Sequence, residues 1–108
     1  MTWIVDASGS QTATIGTEHI LDSPTTNAVY EFVVDTINLA NGELLELRLY
    51  DMVDGTNFRQ AWKGTFQGGL TINNAKKSPP MPITTQAKFT LKQTTGTGRV
   101  FPWIVRRA

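Results

Sequence analysis

Residues 45–66 read LELRLYDMVDGTNFRQAWKGTF, and apolar and polar side chains alternate on both sides of an Asp-Gly pair. Alternation with a period of two predicts two strands that each bury one face. Asp54-Gly55 is a strong signal for a tight hairpin turn, because both central residues of a type I′ turn need positive φ. A turn at that pair places Leu47 opposite Trp62 and brings both apolar sets to one face. We therefore predict a hairpin over this stretch.

The segment before this hairpin has the same period. Tyr30, Phe32 and Val34 are apolar, and the residues between them belong to the opposite face. Asn41-Gly42 then allows a second hairpin, in which Val34 lies opposite Leu49. A short helical turn over residues 36–40 is the alternative.

The C-terminal segment, residues 99–107 (RVFPWIVRR), is apolar on both faces. A hairpin with residues 87–91, turning at Gly96, places Phe89 opposite Trp103. Proline has no N–H to donate, so Pro102 predicts a sheet edge or a bulge. The outward set of this strand needs a cover, which either the N-terminal segment or another subunit supplies; it comprises Val100, Pro102 and Ile104.

About seven to nine short strands and no helical crossover predict an all-β fold, an antiparallel β-sandwich or small barrel. A jelly roll is one arrangement open to eight such strands. The length of 108 residues fits one domain over residues 1–108. We expect an N-terminal arm over residues 1–10 and a protruding, proline-rich loop over residues 73–82 (NNAKKSPPMP).

Composition excludes several classes of partner and of chemical site. Ten basic and nine acidic residues give a net charge of +1, so no nucleic acid and no polyanionic membrane is expected as a partner. There is no cysteine and one histidine, His19, which rules out thiolate and multi-histidine metal sites. We expect His19 to be a strand-end residue with local hydrogen bonds. No serine lies in a Gly-x-Ser-x-Gly setting, and we expect no enzyme, no catalytic residue, no cofactor and no metal.

The candidate partner-binding residues are apolar or basic and lie near the chain ends and in the proline-rich loop. Solvated ends are the alternative for the basic pairs, and packing on the sandwich is the alternative for the tryptophan. They are Trp3, Ile4, Lys76, Lys77, Pro80, Met81, Val100, Pro102, Ile104, Arg106 and Arg107.

Three segments carry a family resemblance: residues 89–103 (FTLKQTTGTGRVFPW), residues 16–19 (GTEH) and residues 42–48 (GELLELR). In these the chain resembles small proteins encoded among the virion structural genes of tailed bacteriophages. The match spans most of the chain, and residues 54–83 are the least similar part. The resemblance implies a compact β domain that decorates or cements the phage head at capsomer junctions.

The function predicted from these features is a non-enzymatic virion structural protein that binds the major capsid protein lattice as a capsid decoration protein. Self-association into a homo-oligomer on the particle is expected with it. Its location would be the capsid surface, after synthesis in the host bacterial cytoplasm. The alternatives are a carbohydrate- or receptor-binding module of a tail fibre, and a head–tail or neck adaptor.

Overall fold

A computed structural model describes residues 2–108, and no helix occurs among them. Strands make up most of this part of the chain, as the alternating pattern predicts. Their bounds are β1 Ile4–Thr12, β2 His19–Asp22, β3 Ala28–Asp35, β4 Leu44–Asp51, β5 Arg59–Gln67, β6 Ala75–Lys77, β7 Met81–Ile83, β8 Ala87–Gln93 and β9 Val100–Arg107.

Two sheets form a sandwich. One has the order β1-β9-β3-β6, with β7 also paired to β3; the other has the order β2-β8-β4-β5. All pairings between strands are antiparallel. Because β6 and β7 pair with opposite ends of β3, they share one position, which leaves eight positions in two four-position sheets. This strand order is that of a jelly roll, so the predicted fold class is confirmed.

The core lies between the sheets and is filled by the alternate residues that the pattern predicts to point inward. The Phe89 ring lies 5.5 Å from the ring of Phe32 and 5.9 Å from that of Tyr30, centroid to centroid, and so joins the two sheets. The buried cluster comprises Ala13, Tyr30, Phe32, Val34, Leu39, Leu45, Leu47, Leu49, Ile83, Ala87, Phe89, Leu91, Phe101 and Val105.

The hairpin of β4 and β5 is confirmed, but its predicted register is wrong by two residues. Leu47 lies opposite Gly64, and Trp62 lies opposite Leu49. The connection is a loop over residues 52–58 rather than a two-residue turn, because the Asp54 carboxylate accepts hydrogen bonds from backbone N–H groups further along the loop. A shift of two preserves the faces, so the core composition is unchanged.

The other two predicted hairpins are wrong. β3 and β4 belong to different sheets, and so do β8 and β9. Val34 therefore pairs with Trp103 instead of Leu49, and Phe89 pairs with Leu49 instead of Trp103. Both loops cross from one sheet to the other, and glycine in a loop suits a crossing as well as a hairpin.

Pro102 does not mark a sheet edge, which corrects that prediction. Strand β9 is an interior strand between β1 and β3, and Pro102 lies opposite Ser10 of β1. The ladder with β3 ends at Trp103, next to the residue that has no N–H to donate.

Two predicted projections lie within the first sheet. Residues 4–10 of the predicted arm belong to β1 and pair with β9. The predicted loop over residues 73–82 contains β6 and the start of β7, and both strands pair with β3. Met1, the first residue of the predicted arm, lies outside the described residues.

Candidate docking surface

The predicted partner-binding residues come together on the five-stranded sheet. Its strands β1, β6, β7 and β9 contain or directly adjoin all of them, although they lie far apart in the chain. We call the outer face of this sheet the docking face. The residues that define it are Ser8, Ser10, Val33, Asp35, Pro102 and Ile104.

A groove of about 730 Å³ crosses the docking face. Ile104 is opposite both Ser8 and Val33 in the ladders, so one row of side chains runs across three strands. Val33 is only 9% exposed, yet it lies outside the core cluster because its neighbours Phe32 and Val34 occupy the inner face. The groove therefore has an apolar floor that is separate from the core. Its lining residues are Ser8, Gly9, Ser10, Val33, Asp35, Ala75, Pro102, Trp103 and Ile104.

One pair of charges beside the groove is neutralised within the chain. Arg106 donates to Glu31 at 3.3 Å, and the two residues are opposite each other on β9 and β3. Asp35 accepts the N–H of Ile37 at 3.0 Å. The docking face thus combines an apolar groove with charged residues beside it, since neither Asp35 nor Lys77, which is opposite Val33 on β6, forms an ion pair within residues 2–108. An apolar centre with a polar rim is typical of a protein–protein interface.

Apolar side chains are also exposed at the margins of this sheet. Val100 at the start of β9 is 43% exposed, and Trp3, Ile4 and Val5 at the start of β1 are 39%, 47% and 57% exposed. The N-terminal segment therefore covers the edge of β9 by pairing with it, and leaves the outer face open. Of the two predicted covers, the N-terminal segment therefore lies at the edge of β9, and residues 2–108 leave the apolar groove uncovered.

The outer face of the other sheet is different, because a closed polar network occupies it. Glu18 accepts hydrogen bonds from the hydroxyls of Tyr50 and Thr90, at 2.6 and 2.7 Å, and from Arg48 at 2.9 Å. Burial raises the pKa of Glu18, but these donors outweigh it and hold the pKa below its usual value. Arg48 also binds Glu46 at 2.8 Å. Most polar atoms of this network are paired within it, and Arg48 Nε is the buried exception.

Several predicted residues are not part of the groove. Arg107 forms an ion pair with Asp6 at 3.0 Å, on the inner side of the sheet. Met81 packs against the core, and the Lys76 ammonium lies 5.7 Å from the centre of the Phe66 ring. Lys77 and Pro80 are exposed near the opposite edge from β1.

Sequence reasoning missed the part of the groove that other strands supply. Ser8 and Ser10 are in a Ser-Gly-Ser stretch that reads as a break between strands, and Asp35 reads as an ordinary outward residue. Val33 carried the one available signal, since it is apolar at an outward position of an alternating strand.

His19 has local hydrogen bonds, as predicted. Its Nε2 accepts the N–H of Thr14 at 3.1 Å, and its Nδ1 lies 3.3 Å from the amide nitrogen of Gln11. Within residues 2–108 there is no group of three or more His, Cys, Asp or Glu side chains placed to hold a metal ion. The same residues contain no helix with the length and apolar character needed to cross a membrane.

Comparison with known proteins gives one structural similarity. No protein-family model matches the chain, and no curated protein sequence matches it. Among solved structures, the chain is similar to part of a chain in the structure of the infectious bursal disease virus Gx strain, with 18% identity and a TM-score of 0.46. The match covers 96% of this chain and 30% of that longer one. A similarity of this size carries no inference about function, and the resemblance to phage decoration proteins remains a prediction.

Proposed function

We propose that this chain is a non-enzymatic virion structural protein, a decoration protein of a tailed-phage head that binds the major capsid protein lattice through its docking face. The observation that carries the proposal is the apolar groove floored by Val33 and Ile104, outside the core and without a cover from the chain. An apolar groove on the outer face of a sheet is typical of an interaction site. The family resemblance supplies the particle as its location.

The contrast between the two outer faces supports a one-sided attachment. The face with the Glu18–Arg48 network carries a set of internal ion pairs and hydrogen bonds, whereas the docking face carries an apolar groove. A protein that lies on a lattice needs one face for the lattice and another for water. The proposed arrangement puts the docking face on the capsid and the Glu18 face in solvent.

The test is the binding of purified protein to empty capsids of the phage that encodes it. Ile104→Glu places a charge in the groove and should reduce capsid occupancy at least tenfold, because an unpaired charge is buried on docking. Trp3→Glu tests the exposed N-terminal end in the same assay. Ile20→Glu is the matched control, since Ile20 is an exposed isoleucine (60%) on an edge strand of the other sheet. Unaltered occupancy by Ile104→Glu would exclude this surface.

The carbohydrate-binding alternative would require an aromatic ring on the docking face, and Trp103 does not provide one. Its side chain packs against the core and lies against Gly9 on the inner side of the sheet. Titration with a glycan panel should therefore leave tryptophan fluorescence unchanged, and a saturable change would favour the carbohydrate-binding alternative.

A further inference from the structure

The two sheets have four edges, and three of them carry features that block the addition of another strand. The edge formed by β6 and β7 has two three-residue strands and contains Pro82. Strand β2 is four residues long and has an irregular register with β8. Strand β5 carries Arg59 and Lys63, and Ala61 is an extra residue in its ladder with β4. Short strands, proline, lysine and bulges are the usual protections of a sheet edge.

Strand β1 lacks these protections over most of its length. Residues 7–12 (ASGSQT) contain no charge and no proline, and they pair with β9 without interruption from Ala7 to Thr12. Six residues at about 3.4 Å each give about 20 Å of edge, along which alternate residues direct their backbone N–H and C=O groups away from β9. The bulge of β1 lies before this stretch, at Asp6. This edge is therefore a template for a further strand.

The charge pattern permits a second copy of the same strand to be that partner. Asp6 is the sole charged residue of β1, and Arg107 of the same chain binds its carboxylate at 3.0 Å. Two β1 strands can therefore approach without opposing like charges. Backbone edges complement themselves in the antiparallel direction, which is the direction that a two-fold axis produces.

The apolar ends of β1 favour the antiparallel arrangement as well. Val5 and its exposed neighbours lie at the start of the strand, whereas Val100 is opposite Thr12 at its end. A two-fold axis near the middle of β1 brings the start of one strand beside the end of the other. The exposed apolar groups of one copy then lie near those of its partner, and part of their surface is removed from water.

We propose that β1 pairs with β1 of a second copy about a two-fold axis, so that the two five-stranded sheets become one continuous sheet across a dimer. The occupant of this edge is a second copy of this chain, not a strand of the capsid protein. The inference is independent of the proposed function, because it concerns the edge of the sheet and not its outer face.

Sedimentation equilibrium of the intact chain tests the dimer, over concentrations from about 10 μM to about 1 mM where a small interface dissociates. Ser10→Lys adds a charge near the middle of β1, at an exposed side chain that also lines the groove, and should weaken the dimer at least tenfold. Ile104→Glu places a charge in the groove on the interior strand β9 and should leave the dimer unchanged. Gln60→Lys adds the same charge at an exposed position of β5 and should leave the dimer unchanged. A monomer throughout, or equal weakening by Ser10→Lys and either control, would overturn the proposal.

Amide hydrogen exchange of the unmodified chain gives a second readout that needs no variant. Protection of those amides of residues 7–12 that point away from β9 should rise at least tenfold between the dilute and the concentrated sample, and protection in β5 should not change. Protection that rises in β5 or only in the groove would refute pairing through β1. A monomeric protein that still occupies capsids through Ile104 would refute the dimer and leave the proposed function intact.

Discussion

Glu43 and Arg99 form a bidentate ion pair. Arg99 Nε lies 3.0 Å from Glu43 Oε1, and a terminal guanidinium nitrogen lies 3.0 Å from Oε2. Glu43 also accepts the N–H groups of Ala40 at 2.8 Å and Thr97 at 3.0 Å. The carboxylate therefore ties together the two loops that cross between the sheets, one between β3 and β4 and one between β8 and β9. These are the two loops that local sequence signals assigned to hairpins.

Glu43→Gln should make the stability of the fold less sensitive to acid. The hydrogen bonds from Arg99, and then those from the backbone of Ala40 and Thr97, lower the pKa of Glu43 from 4.5 to about 2. A carboxyl group with a lowered folded-state pKa stabilises the fold above its unfolded value and loses that effect as pH falls through the folded value. The stability advantage of the unmodified chain over Glu43→Gln should therefore be complete above pH 5 and shrink between about pH 4.5 and 2. Urea unfolding at a series of pH values measures it, and a pH-independent difference would contradict the assignment.

Gly96→Ala should destabilise the fold more than Gly16→Ala. Both glycines have positive φ, +86° at Gly96 and +80° at Gly16, so alanine is strained at either position. A Cβ at Gly96 would also collide with the Glu43 carboxylate, whereas nothing lies within 4 Å of a Cβ at Gly16. We expect a loss of about 1 kcal/mol for Gly16→Ala and about 2–4 kcal/mol for Gly96→Ala, by chemical denaturation. Equal losses would show that the carboxylate moves aside freely.

The free energy of unfolding should fall less between weakly acidic and neutral pH in Asp22→Asn than in the unmodified chain. Burial, followed by the hydrogen bond and the charge of Asp6, raises the pKa of Asp22 from 3.8 to about 7. A raised carboxyl pKa gives a stabilising effect that is complete below the unfolded value of 3.8 and is lost as pH rises through about 7. The expected loss is on the order of 1–2 kcal/mol, because solvent screens a side chain that is only partly buried.

The measurement for Asp22→Asn is the free energy of unfolding at pH 5 and pH 8, for the variant and the unmodified chain. The unmodified chain should lose more stability between these pH values than the variant does. Parallel losses would mean that Asp22 is not protonated in the folded protein at pH 5 and would contradict its raised pKa.

Phe89→Ala should be among the most damaging single substitutions. Phe89 is fully buried, and its ring contacts Tyr30 and Phe32 of the opposite sheet. Removing it leaves a cavity between the sheets, and the expected loss is about 3–5 kcal/mol. Ile20→Ala, at an exposed side chain, should change stability by less than about 0.5 kcal/mol and serves as the control. A small effect of Phe89→Ala would mean that the two sheets close around the vacated space.

The docking face could be predicted in part from the sequence. The outward set of β9 is recognisable because Pro102 and Ile104 are apolar where an exposed strand carries polar residues. The contributions of Ser8 and Asp35 are not recognisable, because those residues join the groove through strand pairings separated by many residues in the chain. No local pattern specifies which strand lies beside β9.

The sequence by itself determined which side of each strand faces the core. That side follows from a period of two along the chain, and it stays the same when a register shifts by two residues, as it does between Leu47 and Trp62. The tertiary structure alone decided which strands are neighbours, and so placed Pro102 in an interior strand and joined Ile104 to Val33. The physical reason is that side-chain alternation is a local property of the backbone, whereas strand order depends on how distant segments together exclude water from one core.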